Sequence, residues 1–137
     1  MQFQIGDIVR GNNSWLNGLL GFGPQPGVII HVGDHSSIIH LFISNEDVTL
    51  LNEYIDKISM SNKKQKLKIG DLVELKPEIK KIIMIRGAGI IIDVTIIRTS
   101  DFDKKWKDEN INAHLVYFIE ESCEYTIPYG CLQLFSK

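Results

Sequence analysis

Cysteine is scarce: Cys123 and Cys131 are the whole thiol content of the 137-residue chain, so at most one internal bridge can form and no four-thiolate metal centre exists. The simpler reading is two reduced thiols packed as small apolar groups, with neither a disulfide nor a nucleophile. Charge of one sign is missing too, because 15 Lys+Arg stand against 17 Asp+Glu. That balance excludes a surface that grips a polyanion all round, while leaving room for a local basic face. No run approaches the ~18 apolar residues of a membrane span. The opening Met1-Gln2-Phe3-Gln4-Ile5-Gly6-Asp7 has no basic segment followed by an apolar one. These absences predict a soluble product with no membrane partner.

Catalytic motifs are absent as well. The glycine-rich stretch from Gly18 to Gly27 lacks the Lys-Ser/Thr ending of a phosphate loop and the spacing of a dinucleotide fingerprint. His31, His35 and His40 fall within ten residues, and a hairpin around Gly33-Asp34 would set His31 and His40 on its flanks. Metal binding needs three or four convergent ligands, so a polar hairpin edge is the reading taken. The expectation is a non-enzyme with no cofactor, no metal and no small-molecule substrate.

What is present is a foldable composition, 44% apolar and 23% charged, with isoleucine the commonest residue. Isoleucine suits a pleated surface, which moves the prior toward an all-β protein. The strongest signal is a duplication. Gln4-Ile5-Gly6-Asp7-Ile8-Val9-Arg10 returns as Lys68-Ile69-Gly70-Asp71-Leu72-Val73-Glu74. Pro26-Gly27-Val28-Ile29-Ile30-His31-Val32 is echoed by Ala88-Gly89-Ile90-Ile91-Ile92-Asp93-Val94. His40-Leu41-Phe42-Ile43 falls beside Val116-Tyr117-Phe118-Ile119, and Tyr54-Ile55-Asp56-Lys57-Ile58-Ser59 has a looser counterpart in Cys131-Leu132-Gln133-Leu134-Phe135-Ser136.

The order of four blocks is kept, which predicts one unit over residues 1–59, a basic linker at 60–66 and a second unit over 67–137. Gly-Asp reads as a turn feeding a short strand. Val28 to Val32 and Ile90 to Val94 read as mostly buried second strands, with Gly27 and Gly89 at close backbone approaches. Third and fourth strands follow in each unit, and Pro128 stops the last of these.

The units differ in their insertions. Gly11 to Pro26 carries Trp15, Leu16, Leu19, Leu20 and Phe22, too many apolar groups for a solvated tip. Thr95 to Ala113 carries Phe102 and Trp106 four apart, as on one face of a short helix. Trp15, Leu19, Leu20, Phe22, Phe102 and Trp106 are therefore the expected partner contacts, buried by another protein or another copy of the chain. Charge is unevenly placed. Residues 1–59 hold two basic and six acidic side chains, net −4, and residues 60–86 hold eight basic and three acidic, net +5. If nucleic acid binds, Lys63, Lys64, Lys66, Lys68, Lys80 and Lys81 are the expected contacts. Few aromatics interleave them, so no stacking platform accompanies the charge.

Gly6-Asp7 with Val9, Gly70-Asp71 with Val73, Gly27, Gly89 and the Ile127-Pro128-Tyr129 turn together resemble the SH3-like or KOW-like small-barrel class, some tandem copies of which look like bacteriophage accessory proteins. The opening strand lacks the aromatic signature of PxxP-binding SH3 domains, and no tryptophan starts a third strand. The resemblance implies an all-β fold of two tandem SH3-like barrels with long loops. It implies a structural or protein-interaction role in a larger assembly, such as a virion connector or decoration, located in the virion or the host cytoplasm. The alternative it leaves open is a KOW-like nucleic-acid module using residues 60–86.

Overall fold

The structure is a computed structural model that describes residues 3–12, 26–42, 44–60, 66–82, 85, 87–97 and 111–135. It divides into two compact units, Met1–Ile58 with Ile97–Ile111 and Ser59–Ile96 with Asn112–Lys137. The first contains β1 (Ile8–Gly11), β2 (Gly27–Val32), β3 (Ser36–Leu41), β4 (Asp47–Leu51), a 3-10 turn (Asn52–Tyr54) and β5 (Ile55–Lys57). Beyond it come β6 (Leu72–Leu75), the one-turn helix α1 (Pro77–Lys80), β7 (Gly89–Ile97), β8 (Ile111–Phe118), β9 (Cys123–Pro128) and β10 (Leu132–Leu134).

Each set of five strands forms one sheet, in the orders β4-β3-β2-β1-β5 and β10-β6-β7-β8-β9. The two expected barrels are therefore corrected to two open sheets. β4 and β5 are the edges of the first and β10 and β9 of the second, and no ladder joins either pair among the described residues. Turn glycines and alternating aliphatics specify strands and their neighbours, but closure depends on tilt and stagger, which short blocks do not encode. The SH3-like and KOW-like resemblance is not sustained by these sheets, and the bacteriophage and virion associations that rested on it go with it.

The local chemistry of the repeat is reproduced atom for atom. Gly6 and Gly70 adopt φ of 97° and 95°, left-handed values that favour glycine. Beside them Asp7 accepts the Gln4 N–H and Asp71 the Lys68 N–H, each at 2.9 Å. The glycine N–H groups then donate to Ile29 at 2.8 Å and Ile91 at 2.7 Å, docking the turns on β2 and β7. At Gly27 an added Cβ would meet the Ile39 side chain and stand 2.9 Å from the His40 carbonyl oxygen, and at Gly89 it would lie 2.5 Å from Val116. Both positions are the close approaches expected.

Those neighbours also correct the register of the third block. Gly27 faces Ile39, His40 and Leu41, and Gly89 faces Val116, Tyr117 and Phe118, so His40 corresponds to Tyr117, one residue on from the Val116 matched by sequence. In the ladders His40 lies across from Asp47 and Tyr117 across from Glu124.

Cores follow the same correspondence. Phe3, Val9, Ile29, Ile39, Leu41, Leu50 and Ile55 cluster in the first unit. The positions matching the last six are Val73, Ile91, Val116, Phe118, Ile127 and Leu132, and all are buried. β7 departs from the expectation of a mostly buried strand over Ile90 to Val94, since Ile91 is buried while Ile92 and Val94 are exposed, and it runs on to Ile97, into residues read as insertion, with Ile96 exposed and Ile97 buried.

Candidate interaction surface

Side chains two apart on a strand share a face, so Ile92, Val94 and Ile96 form an aliphatic row along the outer half of β7. They are 39%, 49% and 44% exposed. Leu72 on β6 lies directly across from Ile90 and is also exposed. Water gains nothing from such a row, and large contiguous apolar patches on soluble proteins mark contact sites.

The anchors expected from sequence, Trp15, Leu19, Leu20, Phe22, Phe102 and Trp106, lie outside the described residues, as do Lys63 and Lys64. Of the remaining expected lysines, Lys66, Lys68 and Lys81 are exposed. Lys80 is engaged, donating from Nζ to the Glu74 carboxylate at 2.8 Å, and Lys76, in the same basic stretch, is buried at 3% exposure. Of the described lysines in this stretch, Lys76 is thus withdrawn from the surface and Lys80 is ion-paired. Glu74 also accepts from Gln133 Nε2 at 2.8 Å. The hydrogen bond from Lys80 leads in holding its carboxyl below the ordinary 4.5, against burial, which pushes it up.

Histidines do not converge. His40 Nδ1 lies 2.8 Å from Asp47 on the neighbouring strand, whereas His31 lies across from Ile38 toward the other end of the β2–β3 hairpin. Among the described residues no group of three His, Cys, Asp or Glu is placed to hold a metal ion. Both cysteines are free, but only Cys131 is buried; the expected burial of Cys123 is corrected to exposure, since it starts the edge strand β9. Burial pushes the Cys131 thiol up to about 12, so it stays protonated and unreactive at neutral pH.

In the first unit Phe3, Asn12, Asn52, Glu53, Ile55 and Asp56 line a shallow cleft of about 310 Å³. Its amides are committed to the wall. Asn12 Nδ2 donates to the Glu53 carbonyl at 2.8 Å and to Asp56 at 3.3 Å, while Asn52 donates to the Gly33 carbonyl and accepts from Ser37 Oγ at 2.6 Å.

The second unit holds a different pair at the place of Ser37 and Asn52. His114 is 3% exposed and stacks on Tyr129, with ring centroids 4.2 Å apart and planes within 9°. Neither imidazole nitrogen has a hydrogen-bond partner among the described residues. Burial holds its pKa below the ordinary 6.5. Sequence analysis weighed only His31, His35 and His40 and did not single out His114. The repeat carried the missing signal, since matching Asn45 to Ser122, the two non-glycine residues with positive φ among those described, sets His114 on Ser37 and Tyr129 on Asn52.

No protein-family model matches the chain, and no curated protein matches it. The surface itself is thus what bears on function. Among the described residues it offers an aliphatic row on β7. Among the described residues no helix is long and apolar enough to cross a membrane.

Proposed function

We propose that this chain is a non-enzymatic protein-interaction component of a larger assembly, and that it works by presenting surface rather than by performing chemistry. The observation that supports this reading is the exposed row Ile92, Val94 and Ile96 on β7. The row has neither the cations nor the exposed aromatics that nucleic acid selects, so its fitting occupant is an apolar protein surface. The nucleic-acid alternative has less support, because Lys76 is buried and Lys80 is ion-paired.

The test is purification of the tagged full chain from its native source, wild type beside Val94→Asp. Wild type is expected to retain a protein partner at fixed stoichiometry, and Val94→Asp to lose it with circular dichroism and melting temperature unchanged. Retention of the same partner by the variant, or a wild-type chain that purifies alone, would overturn the reading.

A further inference from the structure

A histidine whose two nitrogens are both out of water and both without partners is an unusual thing to keep in a sheet. A neutral imidazole normally offers one donor and one acceptor and finds a use for each when buried. His114 has neither among the described residues; its stabilising contact is the flat stack on Tyr129, a residue that is itself 48% exposed. Tyr129 belongs to the turn between β9 and β10, where Gly130 takes φ of 93° and the Tyr129 N–H donates to the Asn112 carbonyl at 3.0 Å. The stack therefore joins the middle of β8 to the turn that sends the chain on to β10.

We propose that His114 is an acid-sensitive latch: protonation of its imidazole expels it from the stack on Tyr129 and loosens the β8–β9 hairpin and the β9–β10 turn. The neutral ring tolerates burial, but an imidazolium without an acceptor does not.

Among the described residues the sheet neighbours of His114 offer no acceptor for the charge. Across the ladder from His114 stands Ile127, and the titratable residues of β9 lie further along: Tyr125 across from Val116, Glu124 across from Tyr117, Cys123 across from Phe118. On β8 itself the other titratable residue is Tyr117. The one charged residue of β7, the sheet neighbour on the other side, is the exposed Asp93, whose carboxylate accepts the N–H of Val94. Beyond Gly130 the Cys131 thiol is held protonated by burial, and the charges of Lys76 and Glu78, beside and within α1, act on that thiol. Burial is accordingly the whole cause of the lowered His114 pKa.

The sign follows. The unfolded chain binds the His114 proton more readily than the folded one. Stability is thus fully present above the ordinary 6.5 and declines as pH falls below it toward the lowered folded value. The first unit holds Ser37 and Asn52 at this place, a pair with no proton to gain in that range.

The experiment is amide hydrogen exchange on the full chain at pH 7.5 and 5.0, corrected for intrinsic exchange, for wild type and His114→Phe. In wild type the amides of β8 and β9 should open about tenfold or more at the lower pH, while β2, β3 and β4 stay unchanged. His114→Phe keeps an aromatic stack and should abolish the acid response. Wild-type protection that does not change between the two pH values, or the same response in His114→Phe, overturns the latch. If His114→Phe does not fold, the imidazole resonances of wild-type His114 decide. Titration below 6.5 accompanied by shifts at Tyr129 supports the latch, and titration at the ordinary value without them overturns it.

Discussion

The two units use one framework to hold different interiors, and comparing them separates what the backbone needs from what is free to vary. Gly6 and Gly70 turn with the same φ, and Asp7 and Asp71 make the same bond back to the chain. Asn12 and Lys76 both donate their backbone N–H to the residue just before the opposing strand, to Tyr54 at 3.0 Å and Cys131 at 2.9 Å. Their side chains then diverge. Asn12 ties itself to Glu53 and Asp56 in the wall of a cleft, whereas Lys76 is buried just before a helix whose Ile79 is wholly buried. Ser37 with Asn52 is a hydrogen-bonded pair, and His114 with Tyr129 is a stacked one. The lesson is that turns and close approaches are held by backbone geometry, so a duplicated sheet can exchange its buried polar pairs while its ladders stay in register.

The sharpest way to break this comparison is through the cores. Phe118 is wholly buried, with its ring 5.8 Å from that of Tyr125, and its counterpart in the first unit is Leu41, also wholly buried. Phe118→Ala should cost about 3–5 kcal/mol and Leu41→Ala about 2–5 kcal/mol in urea unfolding. If the units unfold separately, hydrogen exchange will show each variant losing protection in its own sheet only. Equal loss in both sheets from either variant would mean one cooperative unit, and the comparison of two self-contained interiors would fail.

A smaller effect tests the shared framework. Gly27→Ala places a Cβ against Ile39 and 2.9 Å from a backbone oxygen, while the nearest backbone atom at Gly89 is 3.2 Å away and the closest contact is the Val116 side chain at 2.5 Å. Side chains yield more easily than a ladder strand. Both substitutions should destabilise by about 1–3 kcal/mol, with Gly27→Ala the costlier. Equal or reversed costs, read from urea midpoints, would show that the two approaches are not equivalent constraints.

The parts of this framework that sequence made legible are those whose cause is local. Ile-Gly-Asp-x-Val specifies a turn and a strand from within a few residues, and a glycine before an aliphatic run marks a close approach. The third-strand register was not legible. His40-Leu41-Phe42 and Val116-Tyr117-Phe118 match well by residue type, but the true offset, His40 to Tyr117, is carried by Asn45 and Ser122 in the following turns. A one-residue slip exchanges the faces of a strand, and apolar content on both sides of β3 and β8 hides it. Sheet closure was illegible for a related reason: which edges meet is decided by the course of whole strands. Ile92 and Val94 read as buried because Ile and Val look alike in a core and on a contact surface. His114 and Tyr129 stand fifteen residues apart, and only the ladder from Ala113–Pro128 to Phe118–Cys123 brings them together.

The smallest expected effect lies at Glu74, which occupies the place of Arg10. Arg10 lies across from Asp56 in the first sheet, and Glu74 across from Gln133 in the second. Glu74 accepts from Lys80 and Gln133, and its side chain is only 13% exposed, so these bonds operate with reduced competition from water. Because the folded pKa lies below the ordinary 4.5, the unfolded chain takes up this proton first. The stabilisation is present above 4.5 and is lost as pH falls through the lowered folded value. Glu74→Gln should therefore cost about 1 kcal/mol at pH 7, and the gap from wild type should close as both are titrated downward from 4.5. The His114 response begins at the higher pH, since it sets in below the ordinary 6.5 and that of Glu74 below the ordinary 4.5. A Glu74→Gln variant as stable as wild type at pH 7, or a gap that stays constant to low pH, would show that the Lys80 and Gln133 bonds contribute nothing net. The difference between Arg10 and Glu74 would then be one of surface charge alone.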